Sequence, residues 1–241
     1  MASKYIRPYI GADEFINNKE RYCLWLEKAS PADLKKLPLV MKRIEKVRAF
    51  RLASKKAATR KWADMPMLFT ENRQPVKDYL LVPSVSSEKR RYIPVGYIDK
   101  GIVASNLVLT IPDATRYHFG ILISNVHMAW MRAVCGRLKS DYRYSKDIVY
   151  NNFPWPSPSP DQRAKIEQTA QAILDARALY PDSSLADLYD ELTMPPELRR
   201  AHQNNDRAVM AAYGFPVKGF TEADCVAELM KLYQKMVNEE K

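Results

Sequence analysis

Apolar and polar positions alternate with different periods along the chain, and the first third combines a strand with helices. Aromatic and apolar residues cluster in RYCLWL, residues 21–26, and predict a short buried strand. SPADLKKL then predicts a helix with Ser30 as N-cap and Pro31 at the first helical position. From Lys35 to Lys61 the pattern is largely helical. Its apolar side is predicted to hold Val40, Ile44, Val47, Phe50 or Arg51, and Ala53.

The middle of the chain changes to a β pattern. Between residues 65 and 115, four apolar stretches are separated by Pro, Gly, Ser and Asn: MLFTEN, DYLLVPS, RYIPVGYI and GIVASNLVLTI. Residues 118–138, HFGILISNVHMAWMRAVCGRL, predict one mostly apolar helix packed on that sheet. DIVYNNFPWP is expected to form a last strand that runs into prolines.

The last third predicts helices only. SPDQ is a capping box, with Ser159 as N-cap and Gln162 reaching back, and its helix ends at Tyr180. Three further helices are predicted: SLADLYDEL, PPELRRAHQNNDRAVMAAYG and TEADCVAELMKLYQKMV. FPWPSPSP would be a stiff, extended joint. The expected fold class is α+β, with a mixed helix and sheet domain at 1–155 followed by a small all-helical domain at 156–241.

Composition and cysteine usage are typical of an intracellular globular protein. Hydrophobic residues make up 46% of the 241 residues and charged residues 27%. Neither a membrane span nor a secretory signal is predicted, because no apolar run approaches about 18 residues. The three cysteines, Cys23, Cys135 and Cys225, are far apart and indicate reduced core residues. We expect a cytoplasmic, bacterial protein with no membrane partner.

Charge is distributed unevenly. The formal net charge is +10, yet residues 1–160 hold 28 Lys/Arg against 14 Asp/Glu, and residues 161–241 hold 10 against 14. Such asymmetry indicates two units, the first of which faces a polyanion.

No catalytic or metal site is predicted. His118, His127 and His202 lack a second ligand at metal spacing, and the seven glycines form no phosphate-binding loop. NNFPWPSPSP differs from the (N/D)-P-P-(F/Y) loop with which amino-methyltransferases hold a flipped base, because Phe153 follows Asn152 directly. We therefore expect this chain to contain no catalytic residue and no metal ligand, and to bind no cofactor.

Clustered cations are the candidate phosphate-binding groups. Residues 35–61 contain 11 Lys/Arg and one acid, Glu45, whereas solvated helix faces normally alternate in sign. This favours nucleic acid over an ordinary solvated face. The candidate backbone-binding residues, which include an exposed loop in SSEKRRY and two arginines in GRLKSDYRYSKD, are Lys42, Arg43, Lys46, Arg48, Arg51, Lys55, Lys56, Arg60, Lys61, Lys89, Arg90, Arg91, Arg137 and Arg143.

GRLKSDYRYSKD, residues 136–147, also contains a candidate base-reading pair. Residues two apart in extended backbone point to the same side, so Lys139 and Asp141 would project together. Lys can donate to guanine acceptors while Asp accepts from the cytosine amine. A weak surface ion pair between the two is the simpler interpretation of the residues alone.

Five separated stretches, in order, resemble the C-terminal part of the MmeI-like (type IIL) restriction–modification enzymes and related DNA adenine methyltransferases. The resemblance covers nearly the whole chain. The stretches are KYIRPYIGADEFINNKERYCLWL, SSEKRRYIPVGY, HMAWMRAVCGRLKSDYRYSKDIVYNNFPWP, LYDELTMPPELRRAH and NDRAVMAAYGF.

The resemblance implies a target recognition domain followed by a helical C-terminal domain, without the nuclease, connector and methyltransferase domains that precede them in that family. The implied partners are double-stranded DNA and the methyltransferase domain of the same polypeptide or complex. The intact enzyme would use S-adenosylmethionine, and a divalent metal if it cleaves. This chain would then be a fragment.

The resemblance also implies roles for particular residues. Lys139 and Asp141 match a variable pair that reads the last base pair of the site, and Lys before Asp implies guanine on the methylated strand. Other site positions would be read from residues 40–60 and 86–110. Phe153 and Trp155 would be buried at the end of the recognition domain.

Two other classes of function stay open. A non-specific nucleic-acid-binding module would keep salt-dependent affinity without sequence preference. A protein-interaction subunit would use its basic face for an acidic partner and would not bind DNA even at low salt.

Overall fold

The N-terminal part of the computed structural model, which describes residues 2–239, is built on a small three-stranded sheet. A 3₁₀ turn at Ala2–Tyr5 leads into β1 (Ile6–Ile10), and helix α1 (Ala12–Asn17) connects it to β2 (Tyr22–Leu24). β1 pairs antiparallel with β2 and parallel with β6 (Val103–Ala104). RYCLWL thus contains the predicted strand, but its predicted burial is wrong at the start. Tyr22 is 57% exposed because β2 is an edge strand, whereas Leu26 is buried.

Three helices follow and carry most of the clustered cations. They are α2 (Pro31–Lys35), α3 (Pro38–Leu52) and α4 (Ala57–Lys61), with a 3₁₀ turn at Trp62–Asp64. Ser30 caps α2 as predicted, since its Oγ accepts from the Asp33 N–H. A small separate core of Tyr5, Leu26, Leu34 and Val40 holds this part together. The apolar side predicted for α3 is only partly right. Val40 is buried, and of the alternatives Phe50 and Arg51 it is Arg51 that lies inside, but Val47 and Ala53 are exposed.

A second sheet forms the centre of the molecule. β3 (Tyr79–Pro83) lies between β5 (Gly96–Ile98) and β7 (Val108–Pro112), antiparallel to both. All five residues of β3 are buried, as expected for the middle strand. The β pattern of residues 65–115 is therefore confirmed from residue 79 onward. MLFTEN forms no strand and is irregular.

The apolar stretch 118–138 is two helices and a strand, and the prediction of one helix is wrong. α5 (Arg116–Leu122) ends before Ser124, and α6 (Asn125–Val134) begins after it. The Ser124 Oγ accepts from the His127 N–H and donates to the Ile121 carbonyl, so one hydroxyl ends the first helix and caps the second. Residues 136–138 leave the helix and become β8 (Gly136–Leu138).

A third sheet contains short strands from distant parts of the sequence. β9 (Asp141–Arg143) pairs antiparallel with β8 on one side and with β4 (Val85–Ser86) on the other. The strand predicted for DIVYNNFPWP is wrong, because Lys146–Tyr150 forms a single π-helical turn. The Ser145 Oγ caps this turn, and the Asn152 amide donates to the Asp147 carbonyl.

The C-terminal helices agree with the sequence prediction, except that SLADLYDEL forms only one helical turn. They are α7 (Pro160–Ala178), α8 (Leu185–Leu188), α9 (Pro196–Tyr213) and α10 (Glu222–Glu239). The capping box of Ser159 and Gln162 is present at the start of α7. Gly214 ends α9 with φ 72°, a left-handed conformation that glycine adopts without a steric penalty. Within residues 2–239, no helix is long and apolar enough to cross a membrane.

One core joins the mixed part of the chain to the C-terminal helices. It runs from Leu80 and Phe119 to Val209 and Leu229. α5 and α7 approach closely at Gly120, where a Cβ would lie 2.8 Å from Ile166 Cγ2. The division at residue 155 stays a prediction, since both parts contribute side chains to the same core.

The proline-rich segment between the two parts is fixed on both sides. Phe153 is buried as predicted, and Trp155 is half-buried. The Tyr213 hydroxyl donates to the Pro154 carbonyl (2.8 Å), and the Tyr117 hydroxyl donates to the Pro156 carbonyl (3.3 Å). The segment is extended, as expected, but its first half, residues 153–156, packs against the helices.

Candidate nucleic-acid interface

The candidate base-reading pair lies at the tip of the β8–β9 hairpin. Leu138 pairs with Asp141, so Lys139 and Ser140 form a two-residue turn. The continuous extended backbone assumed for the pair is wrong at Lys139, which has φ 56° in the left-handed region. A reversal of chain direction by two residues requires such a conformation. Lys139 thus lies in the turn and Asp141 at the first position of the strand that follows it.

The side chains of this pair are available to a ligand. Lys139 is exposed and Asp141 half-exposed. Within the described residues 2–239, neither side chain forms an ion pair or a side-chain hydrogen bond. The simpler interpretation, an ion pair between the two, is therefore not what the structure contains. A cationic donor and an anionic acceptor stand unpartnered at one tip, and together they complement the acceptors of a guanine and the amine of its paired cytosine.

Arg137 supports the turn of this hairpin. Its guanidinium donates to the Ser140 carbonyl (2.8 Å) and lies over the Tyr142 ring, 4.2 Å from the centroid. It also lies 3.7 Å from the Glu88 carboxylate, in the loop that follows β4. Arg137 was predicted to bind the DNA backbone, and it is exposed while it holds the hairpin to this loop.

The basic loop, defined here as Ser87–Arg91, lies beside the hairpin. It follows β4, which pairs with β9 through Ser86 and Tyr142. Lys89 and Arg91 are exposed and Arg90 is half-exposed. Together with Arg132 of α6, these cations line a cavity of about 500 Å³ that extends to α9 and α10. Sequence reasoning missed Arg132, because nothing local distinguishes it from any cation on an apolar helix.

The exposed cations of α3, α4 and the link between them form a second basic surface. Its members were all predicted as backbone-binding residues and are all exposed: Lys42, Arg43, Lys46, Arg48, Lys55, Lys56, Arg60 and Lys61. In the part of the chain that the structure describes, none of them forms an ion pair, whereas the C-terminal cations Arg163, Arg199 and Lys231 do. A surface of like charges without counterions favours a polyanionic ligand.

Arg51 is the exception among the predicted phosphate-binding residues. It is 8% exposed, and its guanidinium donates to the carbonyls of Trp62, Met65 and Leu68 at 2.7–2.8 Å. Burial lowers its pKa below the ordinary value of an arginine. The structure thus places Arg51 inside the protein, where it holds the turn after α4 and presents no charge to a ligand. The remaining candidate, Arg143, is exposed on β9.

Two of the three histidines are buried structural groups. His127 is buried, its Nε2 lies 2.9 Å from the Tyr144 hydroxyl, and desolvation lowers its pKa to about 3. His202 is buried too, with its Nε2 2.8 Å from the Tyr189 hydroxyl, and desolvation lowers its pKa well below 6.5. Both rings are therefore neutral at pH 7. Among residues 2–239, no three His, Cys, Asp or Glu side chains cluster in a way that could hold a metal ion.

Comparisons with known proteins relate the whole chain to one family. Residues 1–157 match the family model described as MmeI, target recognition domain, and residues 158–239 match the model described as MmeI, C-terminal domain. The chain is similar to DNA methyltransferase A of Bacillus subtilis (strain 168), with 42% identity over 233 residues. That match covers 96% of this chain and 26% of the relative.

A solved structure is similar throughout. It is described as the type IIL restriction–modification enzyme MmeI in complex with DNA, and it matches with a TM-score of 0.96 and 49% identity. The match covers 98% of this chain and 32% of the solved chain. The chain thus spans about a quarter to a third of the length of these relatives.

Proposed function

The chain belongs to the MmeI family, of which it contains the target recognition and C-terminal domains, and on this premise we propose that it recognises double-stranded DNA sequence-specifically. The observation that carries the proposal is the hairpin tip, where Lys139 and Asp141 stand unpartnered beside the basic loop. Basic residues on phosphates position a protein on DNA, and side chains at base edges select the sequence. The hairpin and its surroundings supply both kinds of group.

The role assigned to the pair is the reading of one base pair in the major groove. Lys139 would donate to the N7 and O6 acceptors of guanine, and Asp141 would accept from the N4 amine of the paired cytosine. Exchanging the positions of the cation and the anion would reverse the orientation of the base pair that is preferred, from G·C to C·G. Each correct pairing of this kind is worth about 1–3 kcal/mol against the wrong base.

The exposed cations of α3 and α4 and the basic loop would bind phosphates. Arg91 and Arg143 belong to this group, and Arg137 combines it with the support of the hairpin turn. Because each phosphate contact releases counterions, this part of the affinity falls as salt rises and does not depend on sequence.

The chemistry of the intact enzyme is assigned to the rest of its polypeptide. The relatives are a DNA methyltransferase and a restriction–modification enzyme, so the chain would position a methyltransferase domain on its target adenine. That domain would hold the catalytic residues and S-adenosylmethionine, and a divalent metal would be needed if the enzyme also cleaves. No residue of this chain is assigned a catalytic role.

The test is selection from random DNA duplexes at low salt, with the wild-type chain and with the double variant Lys139→Glu, Asp141→Arg. We expect the wild type to enrich a motif and the double variant to replace a guanine by cytosine at one position. Other positions of the motif should be unchanged, which serves as the internal control.

Two results would contradict the proposal in different ways. If the wild type bound DNA in a salt-dependent way but enriched no motif, the chain would be a non-specific phosphate-binding module. The exposed cations of α3 and α4, which form no ion pairs among the residues described, would be sufficient for that function. An unchanged motif in the double variant would remove the base-reading role from Lys139 and Asp141.

A further inference from the structure

The segment that follows the basic loop is held by the C-terminal helices. Tyr92 is 3% exposed, and its hydroxyl donates to Asp206 Oδ2 of α9 at 2.7 Å. Asp206 is itself 5% exposed, and its Oδ1 accepts from the Asn125 N–H at the start of α6 (2.8 Å). The Tyr92 ring stacks on His202, with 4.2 Å between the ring centroids. Tyr92, the residue that follows the basic loop, is thus held by α9 through both a hydrogen bond and ring stacking.

Two further contacts fix the backbone on either side of Tyr92. Arg132 donates to the Arg91 carbonyl (3.1 Å) and forms a two-pronged ion pair with Glu222 of α10 (2.7 and 2.8 Å). Arg177 of α7 donates to the Val95 carbonyl (2.7 Å) and also to the Tyr189 hydroxyl. Residues 91–95 are therefore attached to α7, α9 and α10.

The other end of the basic loop is attached to the hairpin. Val85 and Ser86 pair with Arg143 and Tyr142, and Glu88 lies 3.7 Å from Arg137. The loop consequently joins the hairpin tip on one side to the C-terminal helices on the other. A shift of Tyr92 would move the loop and, through β4, the strand that carries Asp141.

Asp206 is costly to bury, which points to a specific purpose. Burial raises the pKa of Asp206 to about 6, although the hydrogen bond from Tyr92 acts in the opposite direction. A buried carboxylate is retained where its acceptors are needed in one geometry, and here both oxygens are used, one by the Tyr92 hydroxyl and one by the Asn125 backbone.

We propose that the Tyr92–Asp206 hydrogen bond is a positioning contact through which the C-terminal helices set the alignment of the basic loop and the hairpin on DNA. This assignment rests on the proposed function. Tyr92 and Asp206 do not touch bases themselves; they act through Lys89–Arg91 and the β8–β9 hairpin. Loss of this hydrogen bond should reduce the discrimination between DNA sequences more than the overall affinity for DNA. The reason is that the cations that bind phosphates remain exposed.

The test compares three variants of the full 241-residue chain: Tyr92→Phe, Asp206→Asn and Tyr213→Phe. The probes are the duplex enriched by the wild type and the same duplex with one enriched base pair exchanged. The readout is the ratio of Kd values, that of the exchanged duplex divided by that of the enriched duplex, so that a high ratio means strong discrimination. Tyr213→Phe is the matched control, because it also removes one tyrosine hydroxyl bonded across the core, to Pro154 at 2.8 Å, but lies away from the loop.

We expect Tyr92→Phe and Asp206→Asn each to lower the ratio about fivefold or more. The affinity for an unrelated duplex at low salt should change less than about twofold, and Tyr213→Phe should leave the ratio within about twofold of the wild type. The double variant Tyr92→Phe, Asp206→Asn should lose less than the sum of the two single losses, because both substitutions act on the same hydrogen-bonded pair.

A ratio unchanged by Tyr92→Phe and Asp206→Asn in a wild type that does discriminate would overturn the assignment and leave the proposed function intact. An equal effect of Tyr213→Phe would also overturn it, since the effect would then be one of general stability. Absence of any motif enriched by the wild type would overturn the proposed function and this assignment with it.

Discussion

Arg48 and Arg51 lie three residues apart on α3 and have opposite environments. Arg48 is exposed, whereas Arg51 is buried and donates to three carbonyls of the segment after α4. The run of cations does not separate them, although the helical period places position 50 or 51 on the predicted apolar side. At the scale of single residues, the fold converts one member of a charge cluster into a structural group.

Replacement of Arg51 by Met should therefore lower the free energy of unfolding by about 2–4 kcal/mol, because three carbonyls lose their charged donor and the site is largely shielded from solvent. Arg48→Met is the control and should change stability by less than about 0.5 kcal/mol. Urea denaturation measures both. Equal stability of the two variants would show that the buried hydrogen bonds of Arg51 contribute little.

At the scale of elements, α3 is unusual for a helix of this length because few of its side chains are buried. Val40 and Arg51 are its buried residues, and Lys42, Arg43 and Lys46 face solvent without ion pairs among the residues described. A helix with one narrow buried edge leaves most of its surface for a ligand. α10 carries lysines as well, but Lys231 and Lys235 pair with Glu228 and Glu239.

The double variant Lys42→Ala, Lys46→Ala should consequently reduce the slope of log K against log salt for duplex DNA by about 2, because two phosphates are then no longer neutralised by the protein. The enriched motif should stay the same, because phosphate contacts do not select bases. Lys231→Ala, Lys235→Ala provides the matched control on α10. If that pair changed the slope as much as the α3 pair, the polyanion would not be bound at α3.

At the scale of the whole molecule, the two predicted domains share a core. Ile166, Ala170 and Val209 of the C-terminal helices belong to the same buried cluster as Phe119 and Ile121. Gly120 permits the close approach of α5 to α7, and Asn205 of α9 donates to its carbonyl at 2.7 Å. Separation of the parts at residue 155 would expose this surface on both.

Thermal unfolding should therefore proceed as one cooperative transition, with a calorimetric enthalpy close to the van't Hoff enthalpy. The physical reason is that neither part can lose its packing without exposing the apolar surface of the other. Differential scanning calorimetry at neutral pH measures both enthalpies. Two resolved transitions would instead favour independently folding domains at 1–155 and 156–241.

The sequence by itself determined what depends on neighbouring residues. Ser30, Ser159 and Gly214 mark helix ends through their own backbone and side-chain chemistry, so the C-terminal helices and α2 were predictable. The excess of cations before residue 160 and the pair Lys139 and Asp141 were likewise visible, the pair mainly through the family resemblance.

Only the tertiary structure decided which groups face one another across long stretches of sequence. The burial of Arg51 and the bond from Tyr92 to Asp206, 114 residues away, depend on contacts between segments that are separated in the sequence. The break at Ser124 and the π-helical turn at Lys146–Tyr150 are local, since each is capped by a serine, but the apolar pattern alone is also compatible with a continuous helix or a strand and so did not predict them.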